Sequence, residues 1–173
     1  MTYTQQRRQG KSLRSVLTRV RLSIVRLWLR SFAPRWTVGV LCLLRDETGR
    51  VCLLRHKGRL KPWGMPGGLI GWPESPEAGL LRELTEELGW TPVGEGSFSQ
   101  RFRLRGSLHS DKFPLIDIVF EVLGPVLSCE SAGWKRQITE IDEIGWFSAD
   151  EIEALEGILE RHRNFLLGVL RGN

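Results

Sequence analysis

Three glutamates lie on one face of a predicted helix in the middle of the chain. Glu83, Glu86 and Glu87 are spaced i, i+3 and i+4, so their carboxylates project from the same side. Each like-charged pair destabilises an isolated helix by about 0.2–0.5 kcal/mol, and such runs are usually a solvated acidic face. The alternative is a divalent-cation site, because Mg²⁺ prefers carboxylate oxygens and commonly bridges to phosphates. This alternative predicts metal-assisted hydrolysis of a phosphate compound.

A glycine pair precedes this helix. Gly67 and Gly68 are adjacent, and a turn without Cβ atoms lets the backbone come close to a ligand, although most such pairs are ordinary turns. The helix is predicted over residues 75–88, with Ser75 as its N-cap and Gly89 after its last turn. A separate apolar stripe predicts packing against a sheet. It consists of Leu80, Leu81, Leu84 and Leu88.

The spacing of these residues resembles the Nudix box, G-x5-E-x7-R-E-U-x-E-E-x-G-U, in which U is a bulky aliphatic residue. The segment Gly68–Trp90 carries all seven fixed residues of this pattern, which are Gly68, Glu74, Arg82, Glu83, Glu86, Glu87 and Gly89. Two features depart from the pattern. Trp90 replaces the final aliphatic residue, and Trp72-Pro73 stands just before Glu74, where family members often have glycine and an acid.

Resemblance to the Nudix family implies a fold and a reaction. The implied fold is an α/β/α sandwich around a mixed β-sheet, which we place at residues 35–173. The implied reaction is Mg²⁺-dependent hydrolysis of a nucleoside diphosphate linked to another moiety X, with Mn²⁺ able to replace Mg²⁺. ADP-ribose, a nucleotide sugar, a nucleoside triphosphate, a dinucleoside polyphosphate and an RNA 5′ end all fit this description.

The resemblance also assigns roles to the residues of the box. The three clustered glutamates are the implied metal ligands, and the carbonyl oxygen of Gly68 is a further one. Arg82 is implied to orient the glutamates through charge-assisted hydrogen bonds rather than to touch the metal. Glu74 is implied to assist through the metal site or to order its water.

The general base varies within the family, so several candidates stay open. One is a glutamate of the box itself. Another is Glu140, which lies six residues before Trp146 in a predicted loop. Glu121 is a third candidate, although it lies in an apolar segment typical of a strand.

Cations near the glycine pair are candidates for binding the substrate phosphates. Four of them precede the pair, namely Arg55, Lys57, Arg59 and Lys61. Arg103 and Arg105 are alternatives further along the chain. The rings of Trp63 and Phe113 are candidates for stacking on a base, with core packing as the alternative for both.

Hydrophobic alternation predicts the strands around the box. Residues 36–45 and 50–56 are predicted to form a hairpin around a turn at residues 46–49. Residues 57–72, rich in glycine and proline, are predicted to be a loop. A final helix is predicted from Ser148 to about residue 170. The remaining predicted strands cover residues 98–104, 115–123 and 143–147.

Residues 1–34 are predicted to form a basic amphipathic arm. Residues 1–45 contain ten arginine or lysine residues and no aspartate or glutamate. The whole chain has 25 basic and 20 acidic residues, so the remainder carries 15 basic against 20 acidic residues. Several interpretations of the arm stay open: packing against the domain or a dimer partner, contact with an anionic membrane surface, and a mitochondrial presequence.

Charge and cysteine content bear on the partner and the compartment. Because the body of the chain is acidic, we expect a small free nucleotide as substrate rather than nucleic acid. Cys42, Cys52 and Cys129 show no disulfide or metal spacing, which favours the cytoplasm; the arm makes the mitochondrion the alternative. A non-catalytic Nudix-like binding module is the rival function. It would be expected to have damaged box glutamates, and all four are intact.

Overall fold

The computed structural model describes residues 36–89, 98–123 and 140–172. The predictions for the arm at residues 1–34 lie outside the described residues, as do Trp90 and Cys129. The strands are β1 (Thr37–Leu43), β2 (Val51–His56), β3 (Trp63–Gly64), β4 (Gly67–Leu69), β5 (Phe102–His109), β6 (Leu115–Val122) and β7 (Ile141–Phe147). The helices are α1 (Pro76–Leu88), α2 (Phe98–Arg101), α3 (Ala149–Ala154) and α4 (Glu160–Arg171).

The described strands form two sheets. One has the order β4-β1-β6-β5 and is mixed, because β1 runs parallel to β6 whereas the other pairs are antiparallel. The other has the order β3-β2-β7 and is antiparallel. The predicted mixed α/β class is confirmed, while the division into two sheets was not predicted.

The predicted hairpin of β1 and β2 is wrong. The turn forms, with Gly49 at φ 82° and the Asp46 carboxylate accepting hydrogen bonds from the Thr48 and Arg50 amides, each at 2.9 Å. Beyond the Arg45–Val51 bridge, however, the two strands enter different sheets. The reason lies in β1, which is buried on both faces from residue 39 onward. Such a strand belongs inside a sheet, and β6 pairs with it there.

Three further element boundaries differ from the prediction. The predicted loop at residues 57–72 contains β3 and β4, which are too short for a periodic pattern to show. The strand predicted at residues 98–104 begins instead as helix α2 and continues as β5 to His109. The final helix is broken into α3 and α4, because the chain leaves helical geometry at Leu155, which is extended. Gly157, with a φ of 76°, continues the turn between them.

Apolar side chains pack in two layers on either side of the strands. Even-numbered residues of β1, such as Val40 and Cys42, pack with the leucines of α1. Odd-numbered residues, such as Leu41 and Leu43, pack with Ile152 of α3 and Leu166 of α4. Helices therefore cover both sides of the strands, as the α/β/α architecture requires. No helix within the three described ranges is long and apolar enough to cross a membrane.

Both ends of α1 follow the prediction. The Ser75 hydroxyl accepts a hydrogen bond from the Ala78 amide at 3.2 Å, and Pro76 occupies the first turn. At the other end, Gly89 is left-handed with φ 61°, and its amide returns to the last turn. These caps fix where the helix starts and stops, and hence which residues face the sheet.

We predict that Leu84→Ala lowers the free energy of unfolding by about 2–5 kcal/mol, because Leu84 is fully buried between α1 and the sheet. Urea denaturation followed by circular dichroism measures this change. Leu60→Ala is the matched control, since Leu60 is fully exposed, and we expect it to change stability by less than about 0.5 kcal/mol. Equal effects of the two substitutions would contradict the described packing.

Candidate active site

A buried glutamate of α1 lies under the glycine pair of β4. The Gly67 amide donates a hydrogen bond to Glu87 Oε2 at 2.7 Å, and Glu87 is only 5% exposed. Burial raises the pKa of Glu87 to about 8; the hydrogen bond from Gly67 opposes this, whereas the charges of Glu83 and Glu140 add to it. Ionisation of the Glu87 carboxyl group is therefore unfavourable in this structure. Groups with pKa values shifted in this way are typical of functional sites.

The two glycines permit this close approach. Gly67 has φ 134°, and a Cβ atom there would lie 2.0 Å from the Val40 carbonyl oxygen. A Cβ atom on Gly68 would lie 2.4 Å from Glu83 Oε1. The half-buried Glu83 has its pKa raised by burial, against the opposing effect of Arg82. Both carboxylates thus lie directly against the backbone of β4.

Arg82 is the cation that holds the remaining acids of the box together. Its Nε donates to Glu74 Oε1 at 2.8 Å, and its Nη1 donates to Glu83 Oε1 at 2.8 Å and to Glu86 Oε2 at 3.1 Å. Its Nη2 also donates to the Leu69 carbonyl at 3.0 Å. Hydrogen bonding to Arg82 lowers the pKa of Glu74. One guanidinium therefore fixes the carboxylates of three glutamates relative to β4.

The donor set suits a hard divalent cation. The hydrogen bonds use one oxygen each of Glu83, Glu86 and Glu87. No group of three acidic, histidine or cysteine side chains in the described ranges is arranged as a ready metal cage. Mg²⁺ rarely uses such a cage, because it binds through one or two carboxylates and completes its octahedron with water and substrate phosphates. The carboxyl groups of Glu83 and Glu87 beside β4 fit this mode of binding.

The candidate general bases occupy different surroundings. Glu140 is exposed at the start of β7, where the Lys57 amide donates to its carbonyl at 2.9 Å, and its charge acts on Glu87. Glu140 is therefore near enough for its charge to affect Glu87. Its role as base stays a prediction.

Glu121 lies elsewhere on the sheet. Gly68 aligns with Val40 and Glu121 with Leu43, so three residues, or about 10 Å, separate them along β1. Burial raises the pKa of Glu121, but three arginines outweigh this effect and lower it. They are Arg45 at 3.0 Å, Arg103 at 2.7 Å and Arg105 at 3.5 Å. The structure thus makes Glu121 the counter-ion of Arg103 and Arg105 and separates all three from the box.

A cavity of about 170 Å³ borders both glycines of β4. Of the predicted substrate-binding residues, Arg59, Lys61 and Trp63 line it. The Trp63 ring also packs edge-on against Phe147, with ring centroids 5.0 Å apart.

The other two predicted cations are not among the residues that line this cavity. Arg55 pairs with Glu143 at 3.8 Å, and Lys57 pairs with Asp142 at 3.9 Å. Both contacts lie along the pairing of β2 with β7. Phe113 is exposed and lines a neighbouring cavity.

Four polar residues of the cavity were not predicted. They are His56, Asp117, Arg161 and His162. Asp117 left a signal in the sequence, because it is a charged residue inside the apolar strand β6. Arg161 and His162 left none, since α4 meets the other cavity residues only in the folded chain. His56 is the last residue of β2 and left none either.

Comparison with known proteins places this geometry in a family. The model of the NUDIX domain matches residues 35–168. A MutT-like protein from Streptomyces ambofaciens is 28% identical over 141 residues, which cover 80% of each chain. An RNA pyrophosphohydrolase from Saccharophagus degradans is 38% identical over 85 residues, covering 46% of this chain and 49% of the relative.

A solved structure agrees with these relatives. The crystal structure of the MutT protein from Methanosarcina mazei Go1 superposes with a TM-score of 0.65 at 28% identity, and the match covers 83% of this chain and 99% of that one. The matched range of the NUDIX domain spans both the glycine pair and the glutamate helix. The chain therefore belongs to the NUDIX family, as a pyrophosphohydrolase of the Nudix type.

Proposed function

We propose that this protein hydrolyses the diphosphate linkage of a small free nucleotide, a nucleoside diphosphate linked to a moiety X, with Mg²⁺ as its metal. The observation that carries the proposal is the buried carboxylate of Glu87 held under the Gly67 amide. The glycine pair that contacts Glu87 and Glu83 also lines the cavity. Enclosure of this kind suits a nucleotide better than a long polymer.

Each residue of the box has a distinct part in this proposal. Glu83, Glu86 and Glu87 hold the metal, together with the carbonyl oxygen of Gly68. Bound metal supplies charge stabilisation to the phosphoryl oxygens and lowers the pKa of water. Arg82 keeps Glu83 and Glu86 in place through its hydrogen bonds, and the Gly67 amide holds Glu87. Glu74 acts through Arg82, because both of its oxygens accept from that guanidinium.

Groups around the box complete the site. We assign Glu140 to accept the proton of the attacking water, because it is exposed and its charge acts on Glu87. Arg59 and Lys61 bind phosphate oxygens at the cavity. The acidic box would repel a diphosphate without such cations, so their position beside the glycine pair supports the proposed polarity of the substrate.

A second candidate is an enzyme that acts on RNA 5′ ends. The observation that favours it is the 38% identity with an RNA pyrophosphohydrolase. The bond cleaved and the residues that act on it would be the same, since an RNA 5′ end carries the same phosphate anhydride. The two candidate substrates differ only in the group that is attached beyond the phosphates.

A substrate panel separates the candidates. Purified full-length protein with Mg²⁺ is incubated with ADP-ribose, nucleotide sugars, dinucleoside polyphosphates, ordinary and oxidised nucleoside triphosphates, and a 5′-triphosphorylated RNA. Products are resolved by chromatography. Fastest turnover of one free nucleotide supports the proposal, whereas fastest turnover of the RNA supports the second candidate. Absence of hydrolysis across the whole panel would refute both.

We predict that Glu87→Gln lowers kcat at least about 10²-fold, because it keeps the side-chain shape but removes a carboxyl group that a bound cation would ionise and hold. The fold should persist, since burial already disfavours the ionised form of Glu87. Steady-state kinetics and thermal unfolding measure the two effects. Glu77→Gln, on the exposed first turn of the same helix, is the control and should keep full activity. Near-normal turnover by the Glu87 variant would remove this helix from the mechanism.

We also predict that activity requires a divalent metal. Treatment with EDTA should abolish hydrolysis, and addition of Mg²⁺ or Mn²⁺ should restore it, because the box holds oxygen ligands suited to hard cations. The measurement is the initial rate before and after metal addition to chelated protein. Full activity in EDTA would contradict the proposed mechanism.

The contact between Gly68 and Glu83 gives a further prediction. Gly68→Ala should lower kcat/KM by about 10²-fold, since its methyl group displaces the Glu83 carboxylate from the site. Kinetics of the variant provide the measurement, with circular dichroism to show that it folds. Gly168→Ala is the matched control, because a Cβ atom there meets nothing within 4 Å. Equal activity of the two variants would show that the contact is unimportant.

A further inference from the structure

An ion pair between β6 and α4 lies in the cavity beside the box. Arg161 Nη2 contacts Asp117 Oδ2 at 2.8 Å, and both residues line the cavity. Asp117 pairs with Gly39 across the parallel strands, and a Cβ atom on Gly39 would lie 2.2 Å from Asp117 Oδ1. Glycine at this position therefore leaves room for the carboxylate. The pair carries no net charge, so this part of the cavity offers both acceptors and donors without attracting an anion.

His162 adds a neutral donor and acceptor to the same wall. It is 95% buried, since its exposed fraction is 5%, and it lines the cavity next to Arg161. Burial, together with the charges of Arg161 and Arg59 and the neighbouring His56, lowers the pKa of His162 to about 4. At neutral pH the ring is therefore uncharged, with one nitrogen donating and the other accepting.

These groups lack partners within the described part of the chain. Neither ring nitrogen of His162 has a hydrogen-bond partner there, and the buried Nε of Arg161 has none. Buried polar atoms are normally satisfied. Three buried, unsatisfied atoms therefore belong to two adjacent residues that line the cavity, and a polar ligand in the cavity would supply their missing hydrogen bonds.

The polar groups that line the cavity divide into two kinds. Arg59 and Lys61 are cations, which suit a phosphate, whereas the Asp117–Arg161 pair and His162 are neutral together. The glycine pair that touches the catalytic glutamates borders the same cavity. A nucleotide has the same division, with an anionic diphosphate and a neutral base whose edge carries adjacent donors and acceptors.

We propose that His162, Asp117 and Arg161 form the base-binding wall of the site and determine which nucleotide is accepted. This inference rests on the proposed function, because it assigns the diphosphate to the glutamate helix. The three residues touch the base and not the reacting phosphate. Removing them should therefore weaken binding and base selectivity without changing the hydrolytic machinery.

The test measures binding without hydrolysis. Nucleoside monophosphates contain no diphosphate linkage, so calorimetric titration of the full-length protein with AMP, GMP, CMP and UMP reports binding alone. Ribose 5-phosphate, which lacks a base, is the reference. We expect at least one monophosphate to bind about 10-fold or more tightly than ribose 5-phosphate, as two added hydrogen bonds to buried groups would give.

Substitutions at His162 complete the test. His162→Leu should reduce the preference to within about 3-fold of ribose 5-phosphate, because it removes both the donor and the acceptor. His162→Gln retains both and should keep most of the preference. His109→Leu is the control, since His109 is exposed on β5 and contacts Ser107. Thermal unfolding of each variant verifies the fold.

Two outcomes would overturn the inference. One is equal binding of ribose 5-phosphate and every monophosphate to the wild-type protein, which would assign the wall to the sugar or to no ligand. The other is an unchanged preference in folded His162→Leu. Either result leaves hydrolysis in the substrate panel unaffected, so failure of this inference is distinguishable from failure of the proposed function.

Discussion

The hydrogen bond from the Gly67 amide to the buried Glu87 carboxylate governs the geometry of the site. For this 2.7 Å contact to form, β4 must pass directly over α1, and only glycine allows the backbone to do so beside Val40. The same approach places Gly68 against Glu83. It also requires a fixed position of the α1 leucines against the sheet. The caps at Ser75 and Gly89 contribute to this by fixing where α1 begins and ends.

Charge is distributed unevenly around this contact. Arg82 donates hydrogen bonds to Glu74, Glu83 and Glu86. Glu87 is buried, accepts a hydrogen bond from the Gly67 amide and is repelled by nearby acids. The cavity beyond the glycines has the opposite character, with Arg59 and Lys61 among its lining residues. A diphosphate that spans both regions would contact the metal held by the box glutamates and the cations Arg59 and Lys61 of the cavity. The polarity of the site therefore matches that of its expected substrate.

Sequence spacing predicted the local part of this arrangement. The caps of α1, the shared face of its glutamates and the glycine pair all depend on residues fewer than 25 positions apart, where helical geometry fixes their relation. The partition of β1 and β2 into two sheets depended on pairing with distant strands. Likewise, the placement of Asp117 beside Arg161 joins β6 to α4. No local sequence pattern encodes such contacts. The placement of β1 and β2 in different sheets follows from the burial of both faces of β1.

The parallel pairing of β1 with β6 has a consequence for synthesis of the chain on the ribosome. Thr37 pairs with Leu115, so β1 waits for almost eighty further residues before its central neighbour emerges. Closing so long a loop costs conformational entropy before the contacts between β1 and β6 can offset that cost. During that interval the odd-numbered apolar residues of β1, such as Leu41 and Leu43, lack their native cover from α3 and α4. Asp117 later lacks its counter-ion until α4 leaves the exit tunnel. The nascent chain therefore contains the whole glutamate helix long before it contains all the residues that line the cavity.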